Sequence, residues 1–175
     1  FPLGTDQFGR CELSRLLYGG KVTLGIVLLG GSIVLVLGTL IGLWLGQANA
    51  AKSLAFSSLL DAVTAIPPLA YLIIFVGIWG NSIPTMLVAL TVSLILRMIK
   101  LVKTQTELEL DKAYVLCAVS SGASRSRVLF VHILPNIIRP LVHFLCLSCA
   151  EMIMNISAFS FIGLTLGDDV IDWGS

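Results

Sequence analysis

The chain has 175 residues, of which 57% are apolar and only 12% charged, and its formal net charge is +1. Mean hydropathy is +0.98. A soluble domain of this length has too little interior to hide so much apolar surface, and a near-neutral balance offers no basic footprint for nucleic acid. Cys11, Cys117, Cys146 and Cys149 lack the spacing of a disulfide-rich secreted framework.

The chain opens at Phe1 without an initiator Met and closes at Ser175 without a final helix, so flanking segments are expected on both sides. Four apolar segments are long enough to span a bilayer, which takes about 20 residues each. The first, 22–45, contains no charge. It carries Gly25, Gly30, Gly31, Gly38 and Gly42, with small-xxx-small spacing at the last two. The second, 56–79, contains Asp61 and is interrupted by Pro67-Pro68, which should kink or break it. Gly80-Asn81-Ser82 is so short that the second and third segments form a tight helical hairpin. The third segment, 83–101, ends at Arg97 and Lys100; the fourth, 137–164, carries Arg139, His143 and Glu151. The predicted class is therefore an all-α polytopic integral membrane protein. Between the third and fourth segments lies one sizeable polar stretch, 103–136.

Charge orients these spans. With the end of the first span in the cytoplasm, Lys52, Arg97, Lys100, Lys103, Lys112, Arg125, Arg127 and Arg139 lie inside, while Arg10, Arg15 and Lys21 lie outside with Asp168, Asp169 and Asp172. The 103–136 stretch is then cytoplasmic. Within it, 111–117 and 126–133 have helical spacing, separated by the small residues Ser120-Ser121-Gly122-Ala123-Ser124. Two short helices around such a turn make a knob that another protein can approach closely; the plain alternative is a solvated loop. Leu134-Pro135-Asn136 is expected to break the helix before the last span.

The spacing of Ala118, Gly122 and Leu134-Pro135 resembles the loop motif of ABC importer permeases: Glu-Ala-Ala, three residues, Gly, nine residues, Ile-x-Leu-Pro. Residues 114–118, 121–124 and 132–136 look like the dipeptide, oligopeptide and nickel branch. The opening Pro2 to Arg10, with Ser14-Arg15-Leu16 and Gly19, is similar to the segment after the first helix of that branch's second permease. Phe159 to Leu164 and Trp173-Gly174 resemble its segment before the last helix. Leu116 stands in place of the motif's Glu, Cys117 of its first Ala, His132 of its Ile, and Cys11 of the branch's usual Asp. The loss of the Glu bears on a specific polar contact, not on the shape of the knob.

The resemblance implies the type I permease fold of ABC importers, with six spans in the whole protein, four of them here. It implies a heterodimeric pore with a homologous second permease, two cytoplasmic ATPase subunits that bind ATP and Mg, and an extracytoplasmic solute-binding protein. No cofactor is expected on this chain itself, and it has no GxxxxGK[ST] loop. The expected coupling surface is Ala118, Ser120, Ser121, Gly122, Ala123, Ser124 and Arg125, within a 111–135 loop that docks on the ATPase. Implied cargoes are di- or oligopeptides, or nickel and related metals as chelates.

Polar residues inside the spans are candidates for the translocation path. Glu151, Met154 and Asn155 share a helical face, and His143 lies roughly 80° around the helix from Glu151. The alternative for this stripe is helix–helix hydrogen bonding to the partner permease. Asp61 is read as lining the path or pairing near the cytoplasmic end, and Pro67 and Pro68 as shaping the helix. Cys146 and Cys149 fit small-residue packing better than a redox pair, and the histidines are too far apart for a metal cluster. Asp6, Arg10 and Arg15 suit either a partner contact or an exposed charged segment. A rival class is an ion-driven secondary transporter using Glu151 and Asp61 with a helix broken at the prolines. Another is an intramembrane enzyme using His143 and Glu151, for which no nucleophile or metal set is visible.

Overall fold

A computed structural model describes residues 3–6, 9–48, 50–163 and 170–174. The order is α1 (Glu12–Leu45), α2 (Ala50–Thr64), α3 (Pro68–Trp79), α4 (Ile83–Leu110), α5 (Ala113–Ser120), the single turn α6 (Arg125–Arg127), a π-helical turn over Val128–Ile133, and α7 (Leu134–Phe161). Among the described residues there is no strand, only an isolated bridge between Thr5 and Cys11.

Among the described residues three helices are long and apolar enough to cross a membrane: Glu12–Leu45, Ile83–Leu110 and Arg125–Phe161. The pair α2 and α3 makes a fourth if it counts as one broken span. Only 39% of the most apolar window of α1 and 28% of that in Arg125–Phe161 are buried. Leu28, Trp44, Leu59, Ile78 and Trp79 point outward. In water such a surface would be unstable; in lipid it is the expected exterior, and each helix satisfies its own backbone.

The helices differ from the expected segments at their ends. α1 begins ten residues before the apolar run at Val22, because Glu12 to Lys21 continue its turns. α4 stays helical to Leu110, so the first part of the 103–136 stretch is helix rather than loop. Pro67-Pro68 does end α2: Pro67 is extended at φ −63°, ψ 146°, and Pro68 opens α3 at the position where a missing N–H matters least. Gly80, at φ 80°, closes α3. The Ser82 hydroxyl then receives the Thr85 N–H at 3.4 Å and starts α4.

The chain divides into two compact units, Phe1–Ser32, Pro67–Val92 and Ser148–Ser175 in one, Ile33–Ile66 and Ser93–Leu147 in the other.

In the second unit α1 and α4 meet along a stripe without side chains. A Cβ on Gly38, Gly42 or Gly46 would come within 2.6, 2.5 and 2.6 Å of Met98, Val102 and Thr106. Both series advance by four, so the helices run parallel in register and nearly touch. Leu45, Leu60 and Ile99 form a core beside this stripe, with Phe56, Ile95 and Leu96 against it.

In the first unit the short segment 170–174 is clasped to helix ends. The Ser160 hydroxyl donates to Asp172 Oδ2, and the Gly174 N–H to Asp172 Oδ1 at 2.7 Å. The Trp173 N–H reaches Thr23 Oγ1 at 3.3 Å and its indole N–H the Leu16 carbonyl at 3.0 Å. Glycines admit these contacts: a Cβ on Gly19 would lie 2.9 Å from the Asp172 carbonyl carbon, one on Gly20 3.0 Å from the Trp173 ring, and one on Gly174 2.5 Å from the Ser157 oxygen. Asp168, Asp169 and Leu164 lie outside the described residues.

Candidate functional site

The small-residue run between α5 and α6 is a capped turn. α5 has no polar side-chain cap; instead the Val115 N–H bonds the Lys112 carbonyl at 3.0 Å. At its other end the Ala123 N–H bonds Ala118 O at 3.1 Å and the Gly122 N–H bonds Val119 O at 2.9 Å. These are the paired bonds of a Schellman ending, which places Gly122 at φ 83°, where a side chain would be strained. Ser124 then caps α6 by accepting the Arg127 N–H at 3.4 Å, and the Ser121 hydroxyl donates back to Cys117 O at 2.8 Å. The chain thus reverses between two helices with nearly all its turn hydrogen bonds made locally.

One side of this hairpin is packed and the other open. Val115 is buried, as are Val128, Leu129 and Ile133 of the π-helical turn. Ser120, Ser121, Gly122, Ser124 and Arg125 are exposed, Ala118 and Ala123 half-buried. Beside them Leu116 is 60% and Val119 55% exposed, two large apolar side chains displayed on a polar segment. A shallow cavity of about 300 Å³ runs between Val119, Ala123, Arg125 and Leu110. Of the seven expected coupling residues, five are thus exposed and two half-buried, with the exposed apolar side chains of Leu116 and Val119 next to them in the chain.

Glu109, beyond the apolar part of α4, holds the hairpin's first turn. Its Oε1 accepts Lys112 Nζ at 2.6 Å and its Oε2 accepts the Tyr114 hydroxyl at 2.6 Å. The Lys112 bond first, then that of Tyr114, hold the Glu109 carboxyl below its usual range. Burial, reinforced by the bond to Glu109, pushes the Tyr114 hydroxyl up to about 12.

Pro135 does not break the helix as the sequence suggested. Its ring would collide with the Val131 carbonyl in a regular α-helix, and it has no N–H to give. The chain widens instead: Leu134 donates to Leu129 O, five residues back, at the end of the π-helical turn. The Asn136 side chain donates to His132 O at 2.7 Å. Helix continues through Leu134-Pro135 into α7 and tolerates Pro140 as well.

The translocation candidates are divided between the two units. Asp61 forms an ion pair with Lys100 of α4, both side chains about half exposed. Pro67 is exposed and Pro68 buried. His143 is exposed in one unit, while Glu151, Met154 and Asn155 belong to the other. Asn155 donates to the Glu151 carbonyl at 2.7 Å, and Met154 is 73% exposed. Among the described residues no group of His, Cys, Asp or Glu could hold a metal ion. None of the four cysteines is joined in a disulfide. Asp6 receives Arg10 Nε at 2.8 Å and Arg15 at 2.7 Å, so this opening segment is folded on itself by its charges.

Sequence reasoning missed the role of Lys103, counting it only among the cytoplasmic cations. It is 1% exposed. Its Nζ donates to Ser53 Oγ at 2.7 Å, Ser57 Oγ at 2.8 Å and Glu107 Oε1 at 2.8 Å. A signal existed: Ser53 and Ser57 on α2, and Lys103 and Glu107 on α4, are both polar pairs spaced by four.

The family of binding-protein-dependent transport system inner membrane components matches residues 38–172. The chain is 31% identical over its whole length to the di/tripeptide transport system permease protein DppC of Pseudomonas aeruginosa, and covers 58% of it. It is 32% identical over its whole length to the peptide transport system permease protein SapC of Escherichia coli, covering 59%. Over 98% of its length it is 26% identical to the oligopeptide transport system permease protein OppC of Haemophilus influenzae, covering 55%. The chain thus spans a little over half the length of these relatives. With its long apolar helices and exposed apolar side chains, it belongs to the binding-protein-dependent transport system inner membrane components, the membrane permeases of bacterial ABC importers.

Proposed function

We propose that the chain is the translocating part of a peptide importer and that the 111–135 segment is its docking surface for a cytoplasmic ATPase. The observation that carries the reading is the hairpin at Ala118 to Arg125: small, locally capped and rigid, with Val119 exposed in its first turn and Leu116 exposed just before it. A surface of that kind transmits displacement because its hydrogen bonds leave it little freedom to bend. Each nucleotide state of the ATPase must favour a different helix arrangement for the coupling to do work. The excess of Lys and Arg around 97–139 favours a cytoplasmic position for this surface.

Peptides are the proposed cargo rather than nickel, because the relatives reported above are named as di/tripeptide, peptide and oligopeptide permeases. ATP and Mg belong to the ATPase partners, a homologous second permease completes the pore, and a binding protein delivers the peptide from outside. His143, Glu151, Met154 and Asn155 on α7 are the proposed path-facing residues.

Uptake of a labelled dipeptide, a labelled tripeptide and nickel, in cells with and without the whole subunit, tests the cargo. Loss of peptide uptake with nickel content unchanged is expected; the reverse would overturn the peptide assignment. A Ser120→Cys variant should crosslink to the ATPase subunit. Failure of that crosslink in a complex that hydrolyses ATP and transports would remove the docking role from this hairpin.

A further inference from the structure

Lys103 has no place in the mechanism described so far, yet it is among the most deeply buried side chains of the chain. An ammonium has three protons, and here all three are used, on Ser53, Ser57 and Glu107. Ser53 Oγ also donates to the same Glu107 oxygen. The four groups form a closed network between α2 and α4. Stability alone does not call for such a network, since well-packed apolar side chains of similar volume would serve as well or better. What directed hydrogen bonds add is register: the two bonds from Lys103 to Ser53 and Ser57, with the one from Ser53 to Glu107, fix both the height and the rotation of α2 against α4, which an apolar seam would leave free to slide.

The same stretch of α4 meets two further elements. Thr106, three residues on from Lys103, lies against Gly46 at the end of α1. Glu109, two residues on from Glu107, holds Lys112 and Tyr114 at the start of α5. Glu109 lies roughly 200° around the helix from Glu107, so α2 and α5 are held on opposite faces of one rigid rod. Within seven residues α4 is tied by charge to α2, by close approach to α1 and by charge to α5.

We infer that Lys103 is a positioning residue that locks α2 to α4, so that a displacement of the 113–120 helix moves α2 and α4 as one body. The inference rests on the docking role proposed for α5. Breaking the lock would leave ATP hydrolysis running while α2 no longer follows, and the complex would transport less per ATP spent.

The test uses the complete transporter, both permeases with ATPase subunits and binding protein, in proteoliposomes. The readout is labelled dipeptide accumulated per ATP hydrolysed. Lys103→Met keeps the length of the side chain and removes the bonds; it is expected to lower that ratio at least fivefold while hydrolysis continues. Lys103→Met with Glu107→Leu restores apolar packing and removes the orphaned carboxylate. It should assemble to the normal amount and still show the low ratio. A normal ratio in this double variant would overturn the inference, leaving the network a packing device.

A second arm does not depend on those variants folding. With the native cysteines replaced, Ser53→Cys and Glu107→Cys are joined by a short bifunctional thiol reagent. If α2 and α4 move as one body, the joined transporter keeps at least half of its uptake. Uptake abolished by the joint, with hydrolysis continuing, would show that the two helices must slide and would overturn the inference. Failure of the docking proposal reads out differently: the unmodified complex would then show no crosslink from Ser120→Cys, whatever the Lys103 variants do.

Discussion

The two compact units of this chain are each fastened internally, and by opposite means. In the unit that holds segment 170–174, the chain is clasped by backbone and glycine: Gly19, Gly20 and Gly174 give up their side chains so that Asp172, Trp173 and Ser157 can come within contact distance. In the unit that holds Lys103, α2 is fastened to α4 by a charge buried among hydroxyls and a carboxylate. Shape complementarity at the first tolerates no added volume. The second tolerates changes of volume better than the loss of a partner, because an unpaired buried charge is what it cannot accommodate.

Substitutions can break this comparison. The largest effect is expected from Lys103→Ala, which removes the ammonium and leaves Glu107 and two serines facing a cavity. It should destabilise the subunit by about 3 kcal/mol, the low end for a broken buried pair because Glu107 is 34% exposed. Thermal unfolding of the assembled complex in detergent would measure this. A loss no larger than that of an exposed ion pair such as Asp61–Lys100 would mean that water reaches Lys103 freely. Gly174→Ala should come next, at about 2 kcal/mol, since its Cβ must displace the Ser157 carbonyl or segment 170–174 itself. Faster proteolysis near Trp173 in the variant would report the loosened clasp, and unchanged cleavage would refute it.

The smallest effect sharpens the charged side. Tyr114→Phe removes one neutral donor from Glu109 and should cost about 1 kcal/mol. It also changes the pH profile. The Glu109 carboxyl is lowered, so its stabilising share is present at neutral pH and is lost as pH falls below its ordinary value of 4.5. The Tyr114 hydroxyl is raised from 10.0 to about 12, so its share is intact below 10 and lost as pH climbs towards 12. In Tyr114→Phe the alkaline loss should disappear and the acid loss shrink. Unfolding midpoints across pH would show it; an unchanged alkaline limb would mean that Tyr114 does not report on this hairpin.

The candidate site was legible in part. The hairpin at 118–125 could be read because its glycine, small residues and flanking periodicity are local features, and local hydrogen bonds then do what the pattern requires. Pro135 misled because proline normally ends a helix; here a π-helical turn from Val128 to Ile133, with Val128, Leu129 and Ile133 buried, absorbs the ring. Lys103 misled for a deeper reason. Its identity as a cation is local, but whether a cation is at the surface or inside depends on what faces it, and Ser53 and Ser57 are about fifty residues away in the chain.

By itself the sequence determined the apolar spans, the break at Pro67-Pro68, the capped turn at Gly122 and the membership of an importer family, since each rests on composition, spacing or a contiguous motif. Only the tertiary structure decided which small residues become contacts and which charges become buried: that Gly38, Gly42 and Gly46 meet Met98, Val102 and Thr106, that Asp172 is held by Ser160, and that Lys103 is enclosed. Those outcomes follow from pairing between distant helices, where burial turns a group that is indifferent in water into one that must find its partner.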